Sequence, residues 1–244
     1  MKHYELTNET KLYKGRTLRR IWYPQDECSG GWLEYERNLV QGSAAAVLEE
    51  AIVCEQAVVR EHAVVSNEAI VSGRARLSGY ATVYAQARVT GRTQLSGSAS
   101  VYDTAQISGN VILADEIWVG DAARVGGRAH LTGHVGVCGS STIADNAVLG
   151  GWTRVSGSAY VGGDARLLGN VHVYDLAKVY DNAIIGWPET ENPDDTDRAI
   201  MLGGTGHVCG TARLRYPLIL SGHYNITAPL QYTPAIQQRR RAIT

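Results

Sequence analysis

The side chains in this chain best suited to chemistry recur at a fixed interval. Tyr84 with Arg88, Tyr102 with Gln106, and Gly120 with Arg124 hold matching places at equal steps along the sequence. A guanidinium group grips phosphate or carboxylate through a planar fork of donors, and a phenol ring offers a surface for stacking. Tyr84, Arg88, Tyr102, Gln106 and Arg124 are therefore the candidate ligand-binding residues, suited to a nucleotide-like or other anionic small molecule. The same pattern also suits a solvated Tyr–Arg ladder that binds nothing. A second set, Tyr160, Tyr174, Lys178 and Tyr180, has the same character.

Catalytic chemistry is harder to place. The seven histidines are His3, His62, His130, His134, His172, His207 and His223. The repeat described below puts His130 and His172 on strands facing outward, and His62 and His134 at turns. None has an acid or asparagine at a spacing that marks it as an oriented base, so no catalytic residue is assigned. The chain lacks a G-x-S-x-G elbow and a Cys/His nucleophile pattern. Its four cysteines (Cys28, Cys54, Cys138, Cys209) are far apart and form no C-x-x-C. That spacing predicts reduced thiols and a cytoplasmic protein, and no metal site is assigned.

What must position these side chains is a repeat. Stepping by six from Val47 to Ile185, all 24 positions are Val, Ile or Leu. The residue two before each is Ala in 17 cases, and the residue two after is Gly in 12 and Asp in six. A helix would scatter such a stripe around its axis, whereas short strands keep it on one side. Gly and Asp then take the left-handed turn conformation. If such strands stack, outward residues an equal step apart fall into columns, as the Tyr and Arg side chains do here.

Stretches such as AIVSGRARLSGYATVYAQARVTG (residues 69–91) carry a small-x-aliphatic-x-Gly rhythm that resembles the hexapeptide-repeat superfamily. The resemblance implies an all-β chain wound as a single-stranded left-handed parallel β-helix with three hexapeptides to a coil, about eight coils over residues 44–186, so that residue i lies beside i+18. In that family a trimer is the common assembly, so a homo-trimer is expected first and a dimer second. Flat outward Ser78, Thr82, Ser96 and Ser100, and the outward apolar Ile52, Val58, Val64 and Ile70, favour such contacts, with the N-terminal segment as the other possible cover. The best-known relatives are acyltransferases using acyl-CoA with a histidine base, and some trimeric relatives are carbonic anhydrases. Of the histidines here, His130 and His134 are the pair at a suitable turn, but no family catalytic motif maps onto them. The regular Thr-x-Thr array of an ice-binding face is also absent.

The ends read differently. Residues 1–43 gather Trp22, Tyr23, Trp32 and Tyr35. Their SGGWLEYERNLVQGSA run resembles the entry motif of uncharacterised bacterial and phage hexapeptide proteins grouped with transferases on fold grounds. This segment is expected to cap the open end of the solenoid. An acidic loop is expected at 187–198, further coils at 199–228, and a basic tail at 229–244. With 23 Lys plus Arg against 24 Asp plus Glu, the net charge is −1. That excludes a protein held to nucleic acid by bulk charge but leaves a local patch open. No apolar run is long enough to span a bilayer, so neither membrane span nor signal peptide is expected. Two roles follow: a non-enzymatic binding or scaffold protein without cofactor, or an acyl-CoA-dependent acyltransferase.

Overall fold

The computed structural model describes residues 3–186, 200–214 and 218–228. The acidic loop expected at 187–198 and the basic tail expected at 229–244 lie outside these residues. Each hexapeptide folds into a strand, most of two residues, and a turn, and successive strands go to three different sheets of 13, 10 and 9 strands. The chain is a parallel β-solenoid about ten coils deep: the six-residue rhythm predicted its strands, and the resemblance implied their parallel winding. The first face runs through Thr82–Val83, the second through Arg88–Val89 and the third through Gln94–Leu95. Each strand pairs with the one three hexapeptides further on, so Thr82 meets Ser100, Arg88 meets Gln106 and Gln94 meets Ile112. Beyond Val173 one coil is longer, with Val173 beside Leu202, and the regular step then returns with Leu202 beside Leu220.

The core explains the composition. All 24 repeat aliphatics are at most 1% exposed, and they stack with the small residues two places earlier. Each contributes roughly 1.5–3 kcal/mol by leaving water. An interior filled by Ala and aliphatic side chains has no room for large rings, and the chain contains no Phe.

At the turns, every repeat position from Glu49 to Asp181 has a positive φ. Where that residue is acidic, its carboxylate commonly accepts the backbone N–H of the residue one coil on. Asp121 does so for Gly139 at 2.7 Å, Asp145 for Gly163 at 2.9 Å and Asp103 for Asp121 at 3.2 Å. The turn acids are thus rungs of a hydrogen-bonded ladder.

The N-terminal segment is built as an antiparallel meander. Strands β1 (Glu5–Tyr13), β2 (Arg16–Tyr23) and β3 (Cys28–Leu33) extend the second face, with β3 pairing parallel to Ile52–Val53. Tyr4, Ile21, Tyr23, Leu33 and Leu39 join the core and plug the end of the prism. The Tyr23 hydroxyl accepts from Val47 N at 2.8 Å and donates to Val47 O at 3.2 Å, satisfying the edge of the first face. Burial pushes the phenols of Tyr4 and Tyr23 up to about 12. Gly31 is needed because a Cβ there would sit 2.5 Å from the Ala51 carbonyl oxygen.

The apolar residues Ile52, Val58, Val64 and Ile70 do not form one patch. Ile52 and Ile70 lie on the second face, Val58 on the third and Val64 on the first. The first two are covered by Leu18, Trp32 and Tyr13 of the cap, and no second subunit is required for them.

Candidate functional site

The sheet register places Arg88, Gln106 and Arg124 in consecutive strands of the second face. All three are exposed, and among the described residues neither arginine takes part in an ion pair. At a strand spacing of about 4.8 Å the two guanidinium groups stand roughly 10 Å apart, with the amide between them.

Tyr84 and Tyr102 follow the strands Thr82–Val83 and Ser100–Val101 at the edge of the first face. Their rings stack with centroids 5.4 Å apart and planes 10° from parallel. The free area is smaller than the sequence suggests. A Cβ at Gly120 would collide with the Tyr102 ring, so that ring lies on the Gly120 backbone. Both faces of Tyr102 are therefore occupied, and burial followed by the nearby Tyr84 raises its phenol pKa. The stacking surface left for a ligand is the outer face of Tyr84, beyond which the column continues with small Ser66.

Between tyrosines and arginines runs the turn between the first and second faces. It forms an open groove of about 410 Å³ lined by Asn67, Glu68, Ala85, Gln86, Asp103 and Thr104. Asp103 and Asp121 stand in this turn as ladder rungs. An anion held by Arg88 and Arg124 must therefore approach from the side away from these carboxylates.

The second set does not assemble as one cluster. Tyr160 and Lys178 are neighbours on the second face, while Tyr174 packs its ring over Gly203. The Tyr160 hydroxyl reaches Asp145 at 3.2 Å, and Tyr180 meets His207 at 3.3 Å.

One constellation was missed by the sequence reading. His134 opens the four-residue strand His134–Val137, not a turn, and pairs with the strand Glu116–Val119. Its Nε2 lies 2.7 Å from Glu116 Oε2, and its ring stacks on Trp152 at 4.1 Å and 4°. This is the acid-partnered histidine that spacing had not revealed, although Glu116, His134 and Trp152 also follow the step of one coil. Further along the first face, Arg154 lies over Trp118, 5.8 Å from the ring centroid, and pairs with His172 in the next strand. Burial, then Arg154, lowers the pKa of His172. Among the described residues no group of three or more His, Cys, Asp or Glu is placed to hold a metal ion, and no helix is long and apolar enough to cross a membrane. All four cysteines are free thiols.

No protein-family model matches the chain, and no curated protein matches it. The functional reading therefore stands on the columns of side chains themselves.

Proposed function

We propose that the chain is a binding solenoid, a rigid hexapeptide-repeat prism of the left-handed kind that holds an anionic ligand without transforming it. The observation that carries this reading is the column Arg88–Gln106–Arg124, exposed and, among the described residues, free of ion pairs, beside the open ring face of Tyr84. Separate anionic groups would engage the two guanidinium forks while a planar group rests on Tyr84. Copies of the chain would associate through the first face. At the repeat positions of the first six coils its outward residues are Ala46, Val64, Thr82, Ser100, Trp118 and Gly136, all uncharged, while Glu116 at the start of its strand is paired with His134. A trimer is favoured and a dimer is next.

The test is titration with a panel of nucleotides against wild type and the Arg88→Ala/Arg124→Ala double variant. Saturable binding that is lost in the double variant, with circular dichroism unchanged, supports the site. Equal binding by both proteins removes it. Light scattering at micromolar concentration checks assembly, and a mass near the 26.4 kDa of one chain overturns it.

The Glu116–His134 pair favours a second reading, acyl transfer from acyl-CoA, in which Glu116 would orient His134 as a general base. Acetyl-CoA binding with turnover that is lost in His134→Ala would put this reading first.

A further inference from the structure

From Glu61 to Thr132, four coils of the solenoid, the charges of this chain are completely sorted. Six basic residues occur in this span: Arg74, Arg76, Arg88, Arg92, Arg124 and Arg128. Arg88 and Arg124 are on the second face, Arg74, Arg92 and Arg128 at the turn that follows it, and Arg76 on the third face. The six acidic residues are Glu61, Glu68, Asp103, Asp115, Glu116 and Asp121. Five lie at the other two turns of the prism, and Glu116 opens the strand that follows one of them.

The left-handed position at the arginine-bearing turn is taken in these coils by Gly73, Gly91, Gly109 and Gly127. The equivalent positions at the other turns include Asp103, Asp115 and Asp121. So in these four coils this edge alone has no carboxylate at any left-handed position, and the arginines gather along it. All six are exposed, and none is in an ion pair among the described residues. Gln94, Gln106, Asn110 and His130 fill most of the remaining outward places with polar groups, and Ile112 is half-buried among them. A molecule of net charge −1 thus carries a strip of six positive charges. The strip is about 14 Å long, counted as three strand spacings.

We infer that this strip is a docking surface for the sugar–phosphate backbone of duplex nucleic acid. This rests on the anion-binding role proposed for Arg88 and Arg124, and it names the class of anion. Three features select that partner. The cations are all arginine, whose fork matches phosphate oxygens better than an ammonium does. The strip itself is built without Tyr or Trp: Tyr35, at its end beside Arg74, is covered by Arg37, and Tyr84 lies at the opposite edge of the second face, so the row of platforms on which unpaired bases stack is missing. It also exposes no bulky apolar wedge of the kind that enters a bilayer or a base step. Contact is therefore with phosphates in regular array, independent of sequence. The acids on the other two turns repel a polyanion and leave this edge as the one that accepts it.

Six phosphate contacts on a duplex give a slope of log affinity against log salt of about −5, and a loss of about a thousandfold between about 50 and 200 mM salt. The experiment is fluorescence anisotropy of the full chain with a labelled mixed-sequence duplex of about 20 base pairs, across that salt range. Replacing Arg74, Arg92 and Arg128 together by Gln should weaken binding at least tenfold and bring the slope to about −3. Arg166→Gln, outside the strip, should leave both unchanged. Tyr84→Ala should also leave duplex binding intact while weakening a nucleotide held at the Tyr84 corner, which separates the two sites.

The inference is overturned by absence of duplex binding at the lowest salt, by an unchanged slope in the triple variant, or by strip-dependent binding to vesicles of anionic lipid or to an acidic peptide without binding to the duplex. Loss of binding in Arg88→Ala/Arg124→Ala with full retention in the triple variant would leave the anion site standing and remove the strip. Circular dichroism of each variant establishes that the fold is retained.

Discussion

Ala85 occupies a place in the turn ladder that its side chain does not suit. Its φ is +57°, a conformation that costs an L-residue with a Cβ roughly 1–2 kcal/mol. Its own N–H is satisfied by Asn67 Oδ1 at 3.1 Å, but its methyl group offers no acceptor to Asp103 N, one coil further on. Replacing Ala85 by Asn should relieve part of the backbone cost, since Asn tolerates this region. The new amide oxygen would also continue the ladder, and such a bond contributes about 0.5–1.5 kcal/mol, toward the low end at an exposed turn. The expected gain is about 1–2 kcal/mol. For a chain of this size that is a rise in melting temperature of about 2–8 °C by calorimetry. Ala85→Gly separates the two contributions. It removes the Cβ penalty without supplying an acceptor and also loosens the unfolded chain, so its gain should be smaller. The expected order of stability is Asn, then Gly, then Ala. If Gly equals or exceeds Asn, the acceptor contributes nothing, and if Ala is the most stable of the three, the reasoning about strain is wrong.

Two further outcomes follow from the core and the cap. Val119→Asp places a carboxylate in a fully buried stack between Val101 and Val137 with no partner. It should cost at least about 3 kcal/mol or abolish folding, and an unchanged urea midpoint would contradict the register. Hydrogen bonds from Arg20, then Lys11 and Trp32, hold the Glu50 carboxyl down at about 2. Because this lies below the unfolded value of about 4.3, the contribution is present above that pH and fades as pH falls toward 2. Glu50 is half exposed, so the effect is modest: Glu50→Gln should lower the melting temperature at pH 7 and narrow its difference from wild type between pH 4 and 2. Parallel curves for the two proteins over that range would refute it.

Most of the fold could be read from the chain because one rule is repeated. Val47 through Ile185 are all buried at the expected phase, since a strand of two residues must send one side chain inward and the other out. The columns Arg88–Gln106–Arg124 and Tyr84–Tyr102 followed from the same arithmetic. The occupied faces of Tyr102 did not, because they depend on a missing Cβ at Gly120 in the next coil. The Glu116–His134–Trp152 column was hidden for a different reason. It begins where Ile117 and Val135 replace the usual Ala, so a strand continues through what the repeat reads as a turn. The cap has no six-residue rhythm, and its glycine pair becomes intelligible only when Tyr23 and Ala51 are seen pressed against it.

The plug of Tyr4, Ile21, Tyr23, Leu33 and Leu39 precedes every coil in the order of synthesis. Once β3 has met Ile52–Val53, every later coil finds a completed one beside it, a single turn of the prism back. Loop closure at that range is fast, so assembly proceeds as one-directional templating. At a synthesis rate of about 5–20 residues per second, the ribosome delivers a new coil every one to four seconds, roughly. The nascent protein then exposes a single unfinished edge throughout its birth, at the end still being made, and a stalled ribosome would hold a shorter prism whose finished coils are already in their final register.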